Sequence, residues 1–206
     1  MSPSNVQFHA TKQLILDVML ALLEVENPGT ITSDQVLAKA RVSSGSLYHH
    51  FDDYSDLLEQ ALCIKYEEFI DRTVDLLVMA QDQATSLTEW AEGVNAAREI
   101  SHGPAYARIR ALRVWAVAYA TTSDRMRTRL GKTQDRLNTK FTNYVKDAQK
   151  AGWVLPEKDP LIISVFIQAY HFGAVIDDIA LTTHFDPKTW VDTLDMVIKK
   201  SFVKFD

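Results

Sequence analysis

A chain of 206 residues with 47% apolar composition is long and apolar enough to bury one good core and a small satellite domain, which excludes an intrinsically disordered protein. Its net charge of -5 gives no general attraction to nucleic acid, and residues 1–60 are themselves acidic, with only Lys12, Lys39 and Arg41 set against eight Asp and Glu. The single cysteine, Cys63, excludes an internal disulfide and reads as a helix position between Leu62 and Ile64.

Helical periodicity dominates, and the β-branched residues never alternate as strands do, so the expected fold is all-α. A first helix is expected from about Thr11 to Val25, with Leu14, Ile15, Val18, Leu22 and Val25 on one face and Asn27-Pro28-Gly29 as its stop. Thr32 and Gln35 have the capping-box spacing for a short second helix ending near Ala40. Ser43 is positioned to cap a third through about His50. Asp53 and Asp56 then open a longer fourth helix carrying Leu57, Leu58, Ala61, Leu62, Phe69 and Leu76, which connects the three-helix head to the rest.

Ser86 and Glu89 repeat the capping-box spacing before a helix with Trp90, Val94 and Ala97 that ends near Gly103-Pro104. Two central helices follow, about Ala105 to Ala120 and Asp124 to Ala151, with Gly152 as a left-handed terminator. Asp159-Pro160 and Asp186-Pro187 each set a capping acid before a proline, opening helices to about Leu181 and Val203. The longest run free of charge, Pro160 to Ile176, falls short of the roughly 20 apolar residues of a bilayer span and reads as a buried helix. No membrane association is expected. The first residues lack a basic, then apolar, signal pattern, so a cytoplasmic protein is expected.

Residues 32–51, TSDQVLAKARVSSGSLYHHF, give a short helix, a tight connection at Arg41-Val42 and a second short helix led by small hydroxyl residues. That is a helix-turn-helix layout, in which the second helix lies in the major groove and short side chains permit close backbone approach. Ser43, Ser44, Gly45 and Ser46 fit that need. Val36, Leu37, Val42, Leu47 and Phe51 supply a small core, and Tyr48 and His49 project toward phosphates or base edges. The alternative for His49 and His50, a metal site, is disfavoured because adjacent helical residues point about 100° apart. Neither metal nor cofactor is expected.

The run Ala40-Arg41-Val42-Ser43, followed by Gly45-Ser46-Leu47-Tyr48-His49-His50-Phe51 and Leu57-Leu58, resembles the head of the tetracycline-repressor (TetR) family; Ile15-Leu16-Asp17 resembles its first helix. The likeness covers about residues 11–62. It implies a helix-turn-helix DNA-binding domain, residues 1–53, and a helical domain for ligand binding and dimerisation, residues 54–206. The departures fall on DNA contacts. Arg41 replaces the usual turn glycine, Ser44 and Tyr54 stand where basic residues are common, and the arm Met1 to Ala10 has no Lys or Arg. Fewer ionic phosphate contacts and a shallow salt dependence are therefore expected, with Thr32, Ser33 and Ser43 anchoring through hydroxyls and helix N-termini.

The larger domain is rich in aromatics, and the resemblance implies a cavity among its helices for a small-molecule effector. Candidate lining residues are the aromatics Trp90, Tyr106, Trp115, Tyr119, Phe166 and Tyr170, each of which has core filling as its plain alternative, and Asp177, whose plain alternative is an exposed position with no function. A buried carboxylate at Asp177 or Asp178 would need a partner such as Arg110 or Arg113. The cluster Arg108, Arg110, Arg113, Arg125, Arg127, Arg129 and Arg136 reads as a solvated face, or else as a site for an anionic ligand. The resemblance also implies a homodimer through the last two helices, with Val165, Ala169, Gly173, Ile176, Leu194, Val197 and Ile198 at the interface. Such a dimer sets two recognition helices about 34 Å apart on operator DNA, a spacing that a ligand can alter. Repression released by an effector is the expected role. The rival is a ligand-binding or adaptor relative with weak or lost DNA binding. An enzyme is disfavoured, since no glycine-rich phosphate loop, Cys pair or His-Glu zinc motif occurs.

Overall fold

The computed structural model describes the backbone of residues 3–204 and the side chains of residues 9–204; the leading arm therefore lies largely outside the described side chains. Among the described residues there are nine α-helices: α1 (Pro3–Val25), α2 (Ser33–Ala40), α3 (Ser44–His50), α4 (Tyr54–Gln83), α5 (Leu87–His102), α6 (Ala107–Ala120), α7 (Asp124–Lys150), α8 (Pro160–Asp178) and α9 (Pro187–Phe202). A 3-10 turn, Pro104–Tyr106, joins α5 to α6. The local stop and start signals act as their chemistry requires. Gln35 N–H donates to Thr32 Oγ1 at 3.2 Å while Thr32 N–H reaches back to Gln35 Oε1, completing the capping box. Ser86 caps α5 through Glu89 N–H, Asp159 and Asp186 cap α8 and α9 ahead of their prolines, and Gly152 takes φ +79° after α7.

The chain forms two compact units, Met1–Glu67 with Leu112–Leu130, and Glu68–Ala111 with Gly131–Asp206, so that α4, α6 and α7 supply residues to both. In the first unit the core is Ile15, Met19, Leu22 and Leu23 of α1 with Val36, Leu47, Phe51, Leu57, Leu62, Leu112 and Met126. The buried face of α1 differs from the expected one. Ile15 and Leu22 are inside, but Leu14 and Val25 are exposed and Leu16, Met19 and Leu23 take their place. Apolar residues occur all round α1, so its period alone does not fix which stripe turns inward.

In the second unit Phe69, Leu77, Trp90, Leu137, Phe141, Tyr144, Ile163, Val191 and Leu194 form the core. An isolated antiparallel bridge, Val154 to Val203, fastens the end of α9 to the α7–α8 link, with Leu155 N–H donating to Phe202 O at 2.8 Å. Helix α8 is long and apolar enough to cross a membrane by length and composition, and the burial expected for it holds along one face only. It buries Ile163, Ser164, Gln168, His171 and Ala174, while Ile162 (61%), Val165 (47%) and Ile176 (73%) are exposed. One face is core and the opposite face is apolar and open.

Candidate functional site

The α2–α3 unit is built from a tight turn. Its C-cap, Arg41, has φ 55° and ψ 43°, and is the one non-glycine residue with positive φ among those described. That is the left-handed region, where a side chain costs about 1–2 kcal/mol and glycine is the usual occupant. The turn is held by Arg41 N–H to Ala38 O and Val42 N–H to Leu37 O. Val36, Leu47 and Phe51 lock the two helices from inside. Ser43 occupies the N-cap of α3 with extended backbone, but its hydroxyl pairs with that of Ser46 at 3.2 Å instead of capping a backbone N–H. Arg41, Ser43, Ser44, Gly45, Tyr48 and His49 are all exposed, with Thr32 exposed and Ser33 half-buried at the start of α2. Tyr54 departs from the group. Its hydroxyl donates to Ile31 O, so the phenol serves to hold the head together.

The acidity of the first 60 residues is largely answered from far along the chain. Arg125 donates to Asp53 Oδ1 at 2.9 Å and Glu59 Oε2 at 2.7 Å, and Arg129 to Asp56 Oδ1 at 2.8 Å and Glu59 Oε2 at 3.2 Å. Ser123 completes the cluster by donating to Glu59 Oε1 at 2.7 Å. The hydrogen bond from Arg125 holds Asp53 below the ordinary carboxylate range. Burial alone would raise Asp56, but Gln60, Arg129 and the Asp52 N–H outweigh it and lower the group. The first unit as a whole carries eight Lys and Arg against ten Asp and Glu, a net of -2 rather than -5. Lys12 lies over the Phe51 ring, 5.3 Å from its centre.

The arginine cluster is therefore not one solvated face. Arg110 and Arg113 are buried, because each has a specific partner. Arg110 grips Asp178 through two bonds of 2.7 and 2.6 Å and also donates to the Ser101 and Gly103 carbonyls, the partnership expected for an acid at this end of α8. Arg113 lies over Tyr66, 5.3 Å from the ring centre.

The expected lining residues separate. Trp115 and Tyr119 belong to the first unit, where Trp115 lies against Gly29. Tyr106 sets its edge on Phe69. Asp177 lies on an open cleft with Gly173, Ile176, His184, Phe185 and Trp190, and accepts from Phe185 N–H at 2.8 Å. Trp90 and Tyr170 both line a small cavity of the second unit, with Phe166 edge-on to Tyr170. Two other polar residues on that cavity, Tyr144 and Arg98, are absent from the sequence expectation. Trp90 Nε1 donates to Tyr144 Oη at 3.1 Å. A signal for Arg98 exists in the sequence, since Trp90, Val94 and Arg98 are spaced by four and must share a helix face.

At the end of the second unit, Val165, Ala169, Ile176 and Val197 are exposed and Gly173 is half-buried. Leu194 and Ile198 instead turn into their own unit, because α9 packs that stripe against α5; Met196 and Val197 face outward.

No family profile and no curated protein matches the sequence. Solved structures do match over nearly the whole length. A protein of Saccharomonospora viridis assigned as a transcriptional regulator, crystallised with choline, aligns at a TM-score of 0.71 and 15% identity over 96% of this chain and 100% of its own. A TetR-family transcriptional regulator of Pectobacterium atrosepticum aligns at 0.69 and 19% over 100% of both chains. A third, reduced NemR of E. coli, aligns at 0.66 and 16% over 93% of this chain and 97% of its own. The structural neighbours over nearly full length are TetR-family regulators at low identity, and the chain has their all-helical fold.

Proposed function

We propose that the protein is a transcriptional regulator that binds operator DNA as a homodimer and is released from it by a small-molecule effector. The observation that carries this reading is the α2–α3 unit: a capped helix, a left-handed turn and a second helix whose exposed leading residues are all small. That surface suits a helix that must bring its backbone close to a duplex. In this reading residues 1–53 bind DNA, through Thr32, Ser33, Arg41, Ser43, Ser44, Gly45, Ser46, Tyr48 and His49, and residues 54–206 bind the effector and dimerise. The apolar outer faces of α8 and α9, at Val165, Ala169, Gly173, Ile176, Met196 and Val197, support pairing with a second copy. The effector site is the Trp90–Tyr170 cavity, and the choline in the Saccharomonospora neighbour supports a small molecule in this fold. Work is done by a shift of population between DNA-competent and DNA-incompetent states, with no bond made or broken. The protein acts in the cytoplasm.

Fluorescence anisotropy with duplexes from the gene's own upstream region, against a random duplex at two salt concentrations, tests the reading. Preferential binding with a shallow salt slope is expected, since few exposed cations lie on the head. Ser44→Lys, which adds a cation at the leading edge of α3, is expected to tighten binding and steepen the slope. A second reading, a ligand-binding adaptor without operator affinity, is favoured by the net charge of -2 on the first unit. It is the conclusion if neither salt reveals a preference and Ser44→Lys changes nothing.

A further inference from the structure

Arg98 is a buried charged group whose described neighbours satisfy it only in part. It stands on the inward stripe of α5 after Trp90 and Val94, and is only 4% exposed. Its Nη1 donates to Asn95 Oδ1 at 2.5 Å. The carboxylate paired with it, Asp195, stands 3.7 Å away at Oδ1, and its other oxygen is already held by Lys199 at 2.7 Å. Arg98 Nε–H has no acceptor. A buried guanidinium with a long ion pair and an orphaned donor is costly, because nothing restores what it lost with its water.

Arg98 is also among the residues that line the small cavity of the second unit. Most of the other walls are apolar, with Leu77, Val94, Val145, Ile163, Ile167 and Phe202 among them, and among the described residues Arg98 is the one charged residue on the lining. The cavity is small, about 40 Å³. Tyr144 and Tyr170 share the polar end with Arg98. Burial pushes both phenols up from their ordinary value, so both remain protonated. Tyr144 accepts from Trp90 and retains its own O–H to donate.

We infer that this cavity binds a compact apolar carboxylate, whose carboxyl group accepts from the Arg98 guanidinium and from the Tyr144 hydroxyl while a body of a few carbons fills the apolar end. The planar fork of a guanidinium matches a carboxylate, and the apolar walls disfavour a fully hydrated inorganic anion. This assigns a chemical class to the proposed effector and rests on that reading of the second unit.

Calorimetric titration of the full-length protein with butanoate, with butanamide and butylamine as neutral and cationic probes of equal size, tests it. Butanoate is expected to bind about tenfold or more tighter than either, the difference a charge-assisted hydrogen bond makes. Arg98→Met is expected to abolish that preference without lowering Tm, since it removes an unsatisfied buried cation. Should Arg98→Met fail to fold, Tyr144→Phe, which loses one O–H, is expected to weaken butanoate and leave butanamide unchanged. Equal binding of the three probes, no butanoate binding at tens of millimolar, or full butanoate affinity in either folded variant overturns the inference. Operator binding of the ligand-free protein, measured in parallel, separates the two proposals: DNA binding without a butanoate site removes the ligand class alone, and a butanoate site without DNA preference removes the regulator alone.

Discussion

Arg41→Gly separates stability from DNA binding in a single substitution. Arg41 sits at φ 55° and ψ 43°, close to the ideal left-handed values, and is exposed. A side chain there costs about 1–2 kcal/mol. Glycine relieves that cost but returns about 0.4–1 kcal/mol by loosening the unfolded chain, leaving a net gain of about 0.5–1 kcal/mol. For a chain of this length that corresponds to a rise in Tm of about 1–4 °C. Urea denaturation followed by circular dichroism measures the gain, and anisotropy against salt measures DNA binding on the same protein. If Arg41 reaches a phosphate, the slope of log affinity against log salt flattens by about 0.9, and Arg41→Lys restores the slope without the gain in stability. A loss of stability in Arg41→Gly refutes the strain argument, and an unchanged slope refutes the phosphate contact.

Glu59→Ala strands Arg125, Arg129 and the Ser123 hydroxyl around a buried void and is expected to destabilise by about 2–4 kcal/mol, the lower end applying because both arginines are partly exposed; a double-mutant cycle with Arg125→Met in urea checks it, and a coupling near zero counts against it. Asp53 and Asp56 both have lowered pKa in the fold, so their contribution is present above the unfolded value near 4 and is lost as pH falls through the folded values. Denaturation midpoints should therefore fall steeply below pH 4, and Asp53→Asn should flatten that limb; an identical limb in the variant contradicts the assignment. Ile176→Asp is expected to yield monomer by light scattering with Tm little changed in the monomeric unit, whereas Leu194→Ala should keep the dimer and lose about 2–5 kcal/mol as a core cavity does. The reverse pattern would mean that the outer face of α8 is not the contact.

What the sequence determined by itself was everything decided within a few residues. The capping pairs Thr32–Gln35 and Ser86–Glu89, the Asp-Pro helix starts and the Gly152 stop each depend on hydrogen bonds spanning two to four positions, so they are legible in order along the chain. The α2–α3 unit was readable for the same reason. Its turn, caps and inward residues all lie within 20 positions. Tertiary structure alone decided which acids met which bases and which face of each apolar helix turned in. Asp53, Asp56 and Glu59 find Arg125 and Arg129 more than 60 residues away, which is why counting charge over residues 1–60 overstated the acidity of the head. Leu194 and Ile198 face inward while Val197 faces out, and Trp115 joins the first unit rather than the aromatic group of the second. Period gives a helix its stripes, but burial of one stripe over another is a free-energy difference set by the partners that arrive from elsewhere in the chain.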